Sequence, residues 1–243
     1  MTSILPAAAQ WNVIAGYDIS GLRNTQMNGI INDYNLKQTS SYLEMNQVSL
    51  AFKQVKVLHG FVAGFRYGYD WGGLEMTFSR RSTRRIGDDY NVVLEVDEES
   101  EVTDTIIGMT FLKPTNFGDA NIDLHYHIKT ISLTKEFGGA IRIGGAIDYN
   151  IYTYEVIYKD PPITNRLKKN QYIWGSKVFV GAHLTNSTKM SFSVRAYYQW
   201  IWGDNSLSEF ETDFDKTKAA CTYCTERPHS IGLSIIINNG LQP

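Results

Sequence analysis

Residues 123–127 read Asp-Leu-His-Tyr-His, with a carboxylate and two imidazoles at alternate positions. On a strand, alternate side chains share a face. Asp123, His125 and His127 could then activate a water as an Asp/His general base. The two imidazoles could instead serve a metal. No nucleophile or third partner is fixed by the spacing, and the plainer reading is hydrogen bonding to Arg142, Asp148 or Lys177 inside a fold. The balance favours a protein that is not an enzyme, with no cofactor and no metal site.

The chain has two cysteines, Cys221 and Cys224, in the stretch CTYC. Such a pair is half a zinc site, a redox motif or a loop staple. A zinc site would need His229 and a further ligand, and a redox motif needs a βαβ setting that is missing here. A local Cys221–Cys224 disulfide is the favoured reading, although so short a loop strains disulfide geometry. The acidic run 204–215 lacks the spacing of a calcium loop. No glycine-rich phosphate loop, nucleophile elbow or zincin helix occurs.

The elements that hold these residues follow from alternation. The 243 residues carry 23 Lys+Arg against 25 Asp+Glu, a net charge of −2, which is not a nucleic-acid-binding balance. Aromatics make up 13% of the chain, led by 15 Tyr, a strand-favouring composition. No apolar run approaches the ~18 residues of a membrane-spanning helix. Apolar and polar residues alternate instead over 11–19, 58–67, 71–81, 121–134, 140–151, 173–184, 190–202 and 230–238. The fourth segment slips phase at Ile131 and Leu133, which predicts a bulge near Lys129-Thr130.

Connections alternate too. Short ones lie at 67–70, 135–139 and 185–188, and long ones at 20–57, 82–120, 158–172 and 203–229. This predicts an all-β fold: an up-and-down antiparallel transmembrane β-barrel of eight strands, with short periplasmic turns and long extracellular loops. If 45–54 and 101–113 form another strand pair, the count becomes ten. Residues 24–36 carry Met27, Ile30, Ile31 and Leu36 near helical spacing, a short helix at the barrel mouth. Residues 1–9 end in Ala7-Ala8-Ala9 and are either the remnant of a secretory signal or an unstructured leader. Residues 10–243 form the single barrel domain.

Period-2 patterning does not say which face is outside. A soluble ligand-binding barrel puts its apolar face within, and a membrane barrel inverts this. Inversion is favoured by small residues on the polar face, which suit a cramped eight-stranded interior. It is favoured also by charges of both signs on that face: Arg66, Glu75, Arg81, Arg142, Asp148, Lys177 and Arg195. In a narrow lumen these must pair. Trp11, Tyr17, Trp71, Tyr149, Tyr198, Trp200 and Trp202 gather near strand ends, as an interfacial girdle does.

The succession WNVIAGYDI, NTQMNGIINDYNL, GFVAGFRYGYDWGGLEMTFSRRS, SVRAYYQW and HSIGLSIII resembles the eight-stranded outer-membrane β-barrels of the Bacteroidota. The resemblance implies a bacterial outer-membrane location more than an activity. The expected role is structural, adhesive or partner-binding, carried by the extracellular loops. The alternative is an outer-membrane hydrolase with its Asp/His site at the rim. Arg80, Arg84 and Arg85, from the stretch RRSTRR, would lie at the outer rim. There they either bind lipopolysaccharide phosphates, which suit arginine geometry, or form a solvated rim balancing DEES at 97–100. Expected partners are outer-membrane lipid, lipopolysaccharide and an extracellular or envelope protein, with no nucleic acid.

Overall fold

The computed structural model describes residues 10–44, 53–69, 72–87, 121–160, 163–186, 190–214 and 225–239. Its barrel strands are β1 (Gln10–Leu22), β2 (Val57–Tyr69), β3 (Gly72–Gly87), β4 (Asn121–Gly138), β5 (Ile141–Asp160), β6 (Ile163–Asn186), β7 (Ser191–Ile201) and β10 (Ser230–Asn239). Between β1 and β2 lies helix α1 (Thr25–Glu44). Between β7 and β10 lie β8 (Asn205–Ser206), α2 (Ser208–Phe214) and β9 (Thr225–Glu226).

Each barrel strand pairs antiparallel with its neighbour in sequence, and β10 closes on β1 with Val13 opposite Asn239. The even count leaves β1's start and β10's end at the short-turn rim. Eight strands complete the ring, so the ten-strand alternative has no place in it. Residues 45–52, 101–113, Trp71 and the leader 1–9 lie outside the described residues.

Closed barrels abolish strand edges, and here closure separates two chemically unlike faces. Outward residues around the part of the barrel nearer the short turns are apolar: Ile141 and Ile143 are 69% and 61% exposed, with Phe65, Met76, Leu133, Val180, Leu233 and Ile235 beside them on other strands. The alternate residues point into a polar lumen. That disposition overturns the soluble ligand-binding barrel, whose apolar face would be inside. At the short-turn rim Gly138 has φ 115°, a left-handed conformation that lets β4 turn into β5. Gly68 and Gly73 leave space for the Arg66 guanidinium, which lies 3.0–3.1 Å from where their Cβ atoms would be.

Three sequence expectations change. The segment 158–172 is strand, not loop: β5 and β6 continue upward until only residues 161 and 162 separate them. No bulge interrupts Lys129-Thr130. The β4–β5 register is continuous from Asn121–Lys159 to Gly138–Arg142, and the β6–β7 register shifts instead between His183 and Thr185. The helix at the mouth is longer than 24–36.

The phase slip in β4 has another origin. Leu124, Tyr126 and Ile128 point inward, followed on the same face by Thr130, Ser132, Thr134 and Glu136. On β5, Tyr152, Tyr154 and Val156 stand above Asn150, Asp148 and Arg142, again on one inward face. The backbone keeps its parity while the chemistry of each face switches. Toward the outer mouth the strands leave the apolar belt; the outside becomes polar and the lumen apolar, as burial demands when the surrounding medium is water.

Candidate functional site

The lumen holds three layers. In the lowest, nearest the short turns, residues from five strands meet. Arg195 on β7 grips Glu75 on β3 with both terminal nitrogens, Nη1–Oε2 at 2.6 Å and Nη2–Oε1 at 2.5 Å. Arg195 Nη2 also donates to Glu136 Oε2 at 2.9 Å. Glu136 Oε1 takes Arg142 at 2.5 Å and Arg66 at 2.6 Å. All five side chains are nearly inaccessible to solvent. Bidentate charge-assisted bonds of this kind offset the desolvation of ions that could not be buried alone.

The middle layer centres on Arg81, which is 2% exposed. Its Nη1 donates to Ser20 and Tyr197, its Nη2 to Gln199 and Thr130, and its Nε lies 3.6 Å from Asp18. Asp18 accepts from Tyr197 and Ser234. Asp148 accepts from Gln199 at 2.6 Å and lies 3.7 Å from Lys177. Between the two ionic layers a cavity of about 30 Å³ is lined by Asp18, Glu75, Lys177, Phe179, Arg195 and Tyr197. It has room for a water or two, not for a solute path.

The uppermost layer is apolar. Leu58, Leu124, Tyr126, Ile128, Tyr152, Tyr154 and Val156 from the strands pack with Met27, Ile30 and Ile31 of α1 and with Leu207 and Phe210 beside and on α2. Phe210 meets Tyr154 edge-on, with ring centroids 5.0 Å apart. The helix is tied down at several points. Asn28 both donates to and accepts from the backbone of Val55, and Gln54 donates to Asn32. Glu226 on β9 accepts the backbone N–H groups of Gln26 and Met27 at 3.1 and 3.2 Å, capping α1 from the far end of the chain. Burial raises the Glu226 carboxyl above the usual carboxylate range in spite of those donors.

The residues singled out from sequence distribute as follows. Arg66, Glu75, Arg81, Arg142, Asp148, Lys177 and Arg195 all sit on inward faces. Asp123, His125 and His127 do not. They occupy the odd-numbered, outward face of β4 above the belt, because Leu124, Tyr126 and Ile128 take the inward face for the apolar layer. Asp123 is covered by Arg84, which donates to it at 2.6 Å. His125 lies across from Arg84 and Glu155, and His127 across from Ser82 and Thr153. Burial, reinforced by Arg80, Lys129 and Lys168, holds the His127 pKa down to about 4. A base that weak accepts protons poorly at neutral pH.

The rim arginines also part company. Arg80 and Arg84 face outward, whereas Arg85 is on the inward face and donates to the Gln54 carbonyl. Cys221 and Cys224 lie outside the described residues. The acidic run contributes individual contacts: Asp204 pairs with Arg227 and Glu209 with Lys169.

Sequence reasoning missed Asp18, Glu136, Tyr197 and Gln199 as network members, and Glu226 as a cap. Glu136 fell inside the expected turn 135–139. Its signal was the even-numbered series Thr130, Ser132, Thr134, which continues to it without a break.

No family model matches the chain, and no curated protein matches it. Among solved structures, it is similar to Ail, the attachment invasion locus protein of Yersinia pestis, in complex with the heparin analogue sucrose octasulfate. The identity is 9%, with 95% of this chain and 97% of that chain covered and a TM-score of 0.41. It is similar to Neisserial surface protein A at 8% identity, covering 96% and 98%, with a TM-score of 0.38. It is similar also to the N-terminal β-barrel domain of Pseudomonas aeruginosa OprF at 10% identity, covering 95% and 99%, with a TM-score of 0.36.

Proposed function

We propose that this protein is an integral barrel of a bacterial outer membrane, of the type resembled by the Bacteroidota barrels, with a structural, adhesive or partner-binding role. The observation that carries the reading is the inverted polarity of a closed barrel: an outward apolar belt around an ion-paired lumen. Of the aromatics expected at strand ends, Trp11 and Trp200 lie near the ends of β1 and β7 and Trp202 just past β7, where amphipathic rings suit a headgroup region, whereas Tyr17 and Tyr149 lie mid-strand because β1 and β5 run on past them.

Two ionic layers and an apolar layer fill the lumen, which supports a strut rather than a pore. The interaction surface is then the outer cap, made of α1, the β5–β6 extension and the β8–α2–β9 unit. The helix is fastened by hydrogen bonds from Gln54 and Val55 of its own connection and from Glu226 of the β7–β10 connection, so the cap presents an ordered surface to a partner.

Cell fractionation with a heat-modifiability gel tests this. The protein is expected in the outer-membrane fraction, with unboiled and boiled samples migrating differently. Recovery in the soluble fraction with no mobility shift would reject the reading. Planar-bilayer recordings are expected to show no steady conductance.

A further inference from the structure

The arginine-rich start of the upper β3 strand divides by face. Arg84 is engaged by Asp123, and Arg85 turns toward the mouth. Arg80 instead stands directly across the β3–β4 ladder from Lys129. Both project outward. Like charges directly opposite on a sheet repel, and their row brings no acid to offset this. It runs from Phe61 through Arg80 and Lys129 to Ile151 and Tyr172. The row below is Phe78, Ile131, Tyr149 and Trp174, the top of the apolar belt.

Above the pair lies the half-buried His127, and beyond it Lys168 on β6. The carboxylate nearest on that side, Glu155, is taken by Arg166. Among the described residues, Arg80 and Lys129 have no carboxylate partner, whereas Lys168 stands across the β5–β6 ladder from Glu155. An unneutralised cation pair at the edge of an apolar belt, flanked by aromatic and aliphatic side chains, needs an anion that arrives with its own apolar body.

We propose that Arg80 and Lys129 clasp the phosphate groups of outer-leaflet lipid of the lipopolysaccharide class. The guanidinium supplies a fork for one phosphate and the ammonium a point charge beside it. The lipid's acyl chains lie against Phe78 and Ile131 in the row below. This rests on the membrane-spanning reading. It differs from an arginine rim made of Arg80, Arg84 and Arg85, because only the first of those three is free to act.

The test compares wild type, the double variant Arg80→Gln/Lys129→Gln and the control Arg84→Gln/Arg85→Gln. Each is extracted from outer membranes in mild detergent, washed, and assayed for retained lipopolysaccharide phosphate. A heat-modifiability gel verifies that each barrel is folded. The expected result is a loss of about tenfold or more in the first variant and near-wild-type retention in the control. Washing with inorganic phosphate is expected to leave retention unchanged, since the acyl chains contribute to binding. Equal retention in all three proteins, equal loss in both variants, or displacement by inorganic phosphate overturns the proposal while leaving the barrel in its membrane. If wild type is absent from the outer-membrane fraction, the membrane reading itself falls and the proposal falls with it.

Discussion

Arg195 and Glu75 lie on strands that are not neighbours in the ring, and they meet across the lumen through two hydrogen bonds of 2.6 and 2.5 Å. Because β3 and β7 stand on different sides of the barrel, this contact is a crossbar. Replacing Arg195 by Gln strands a buried carboxylate beside a single remaining cluster of arginines. The expected cost is about 3–5 kcal/mol, read from urea unfolding in lipid vesicles. The double variant Arg195→Gln/Glu75→Gln is expected to cost less than the sum of the two single ones. Strict additivity would mean that the crossbar carries no coupling.

The belt is a solvent boundary that a single charge detects. Ile147 points outward on β5 and is half exposed. Ile147→Arg is expected to destabilise the vesicle-inserted barrel by about 2–4 kcal/mol. Asn170→Arg, exposed on the outward face of β6 above the belt, is expected to change stability by less than about 1 kcal/mol. Equal effects at the two sites would contradict the change of medium between them.

The apolar layer at the mouth is expected to unfold separately from the belt. Phe210→Ala removes an aromatic ring from contact with Tyr154, at an expected cost of about 3–5 kcal/mol to the cap. Limited proteolysis should then cleave within the α2 region, while the heat-modifiable barrel band persists. Loss of that band as well would mean that cap and barrel form one cooperative unit.

Glu226 poses a sharper question, because its helix cap is opposed by burial. Glu226→Ala removes an acceptor from two α1 N–H groups and is expected to cost about 1 kcal/mol. Glu226→Gln keeps one oxygen and removes the buried charge, so at neutral pH it is expected to match or exceed wild-type stability. The raised carboxyl pKa gives the sign: the group's contribution is fullest below its unfolded pKa and is lost as pH rises through the folded value. The Gln variant should therefore flatten this part of the pH profile.

His127 works in the opposite direction. Its folded pKa of about 4 lies below the ordinary value of 6.5. The unfolded chain thus binds a proton first as pH falls from 6.5 toward 4, and stability declines over that window. Above pH 6.5 both states are neutral and the residue contributes no pH dependence. NMR titration of the imidazole is expected to find a midpoint near 4, and His127→Gln should weaken the acid-side decline. A midpoint near 6.5 would show that neither the burial of the ring nor the neighbouring cations are felt.

Much of this molecule is written locally. Alternation marks the barrel strands, the short turns set their pairing, and the inward charges of β2, β3, β5, β6 and β7 follow from parity alone. That is because side-chain direction on a strand depends only on position, with a period of two. The helix at the mouth is legible for the same kind of reason, since Met27, Ile30 and Ile31 recur at helical spacing.

Other features needed the closed barrel. Leu124, Tyr126 and Ile128 obey the same parity as Thr130 and Glu136, yet the sequence shows only that the two faces differ, not which medium each one meets. The answer depends on height relative to the belt, which emerges when all strands are in register. Parity with Ile131 and Leu133 puts His125 and His127 on the outward face, and their height above the belt is what makes that face polar, so a supposed bulge is a change of surroundings. Register likewise sets Arg80 against Lys129, 49 positions away along the chain. Glu226 reaches the start of α1 across 199 positions. Such pairings arise from chain closure, a property that no local window of residues contains.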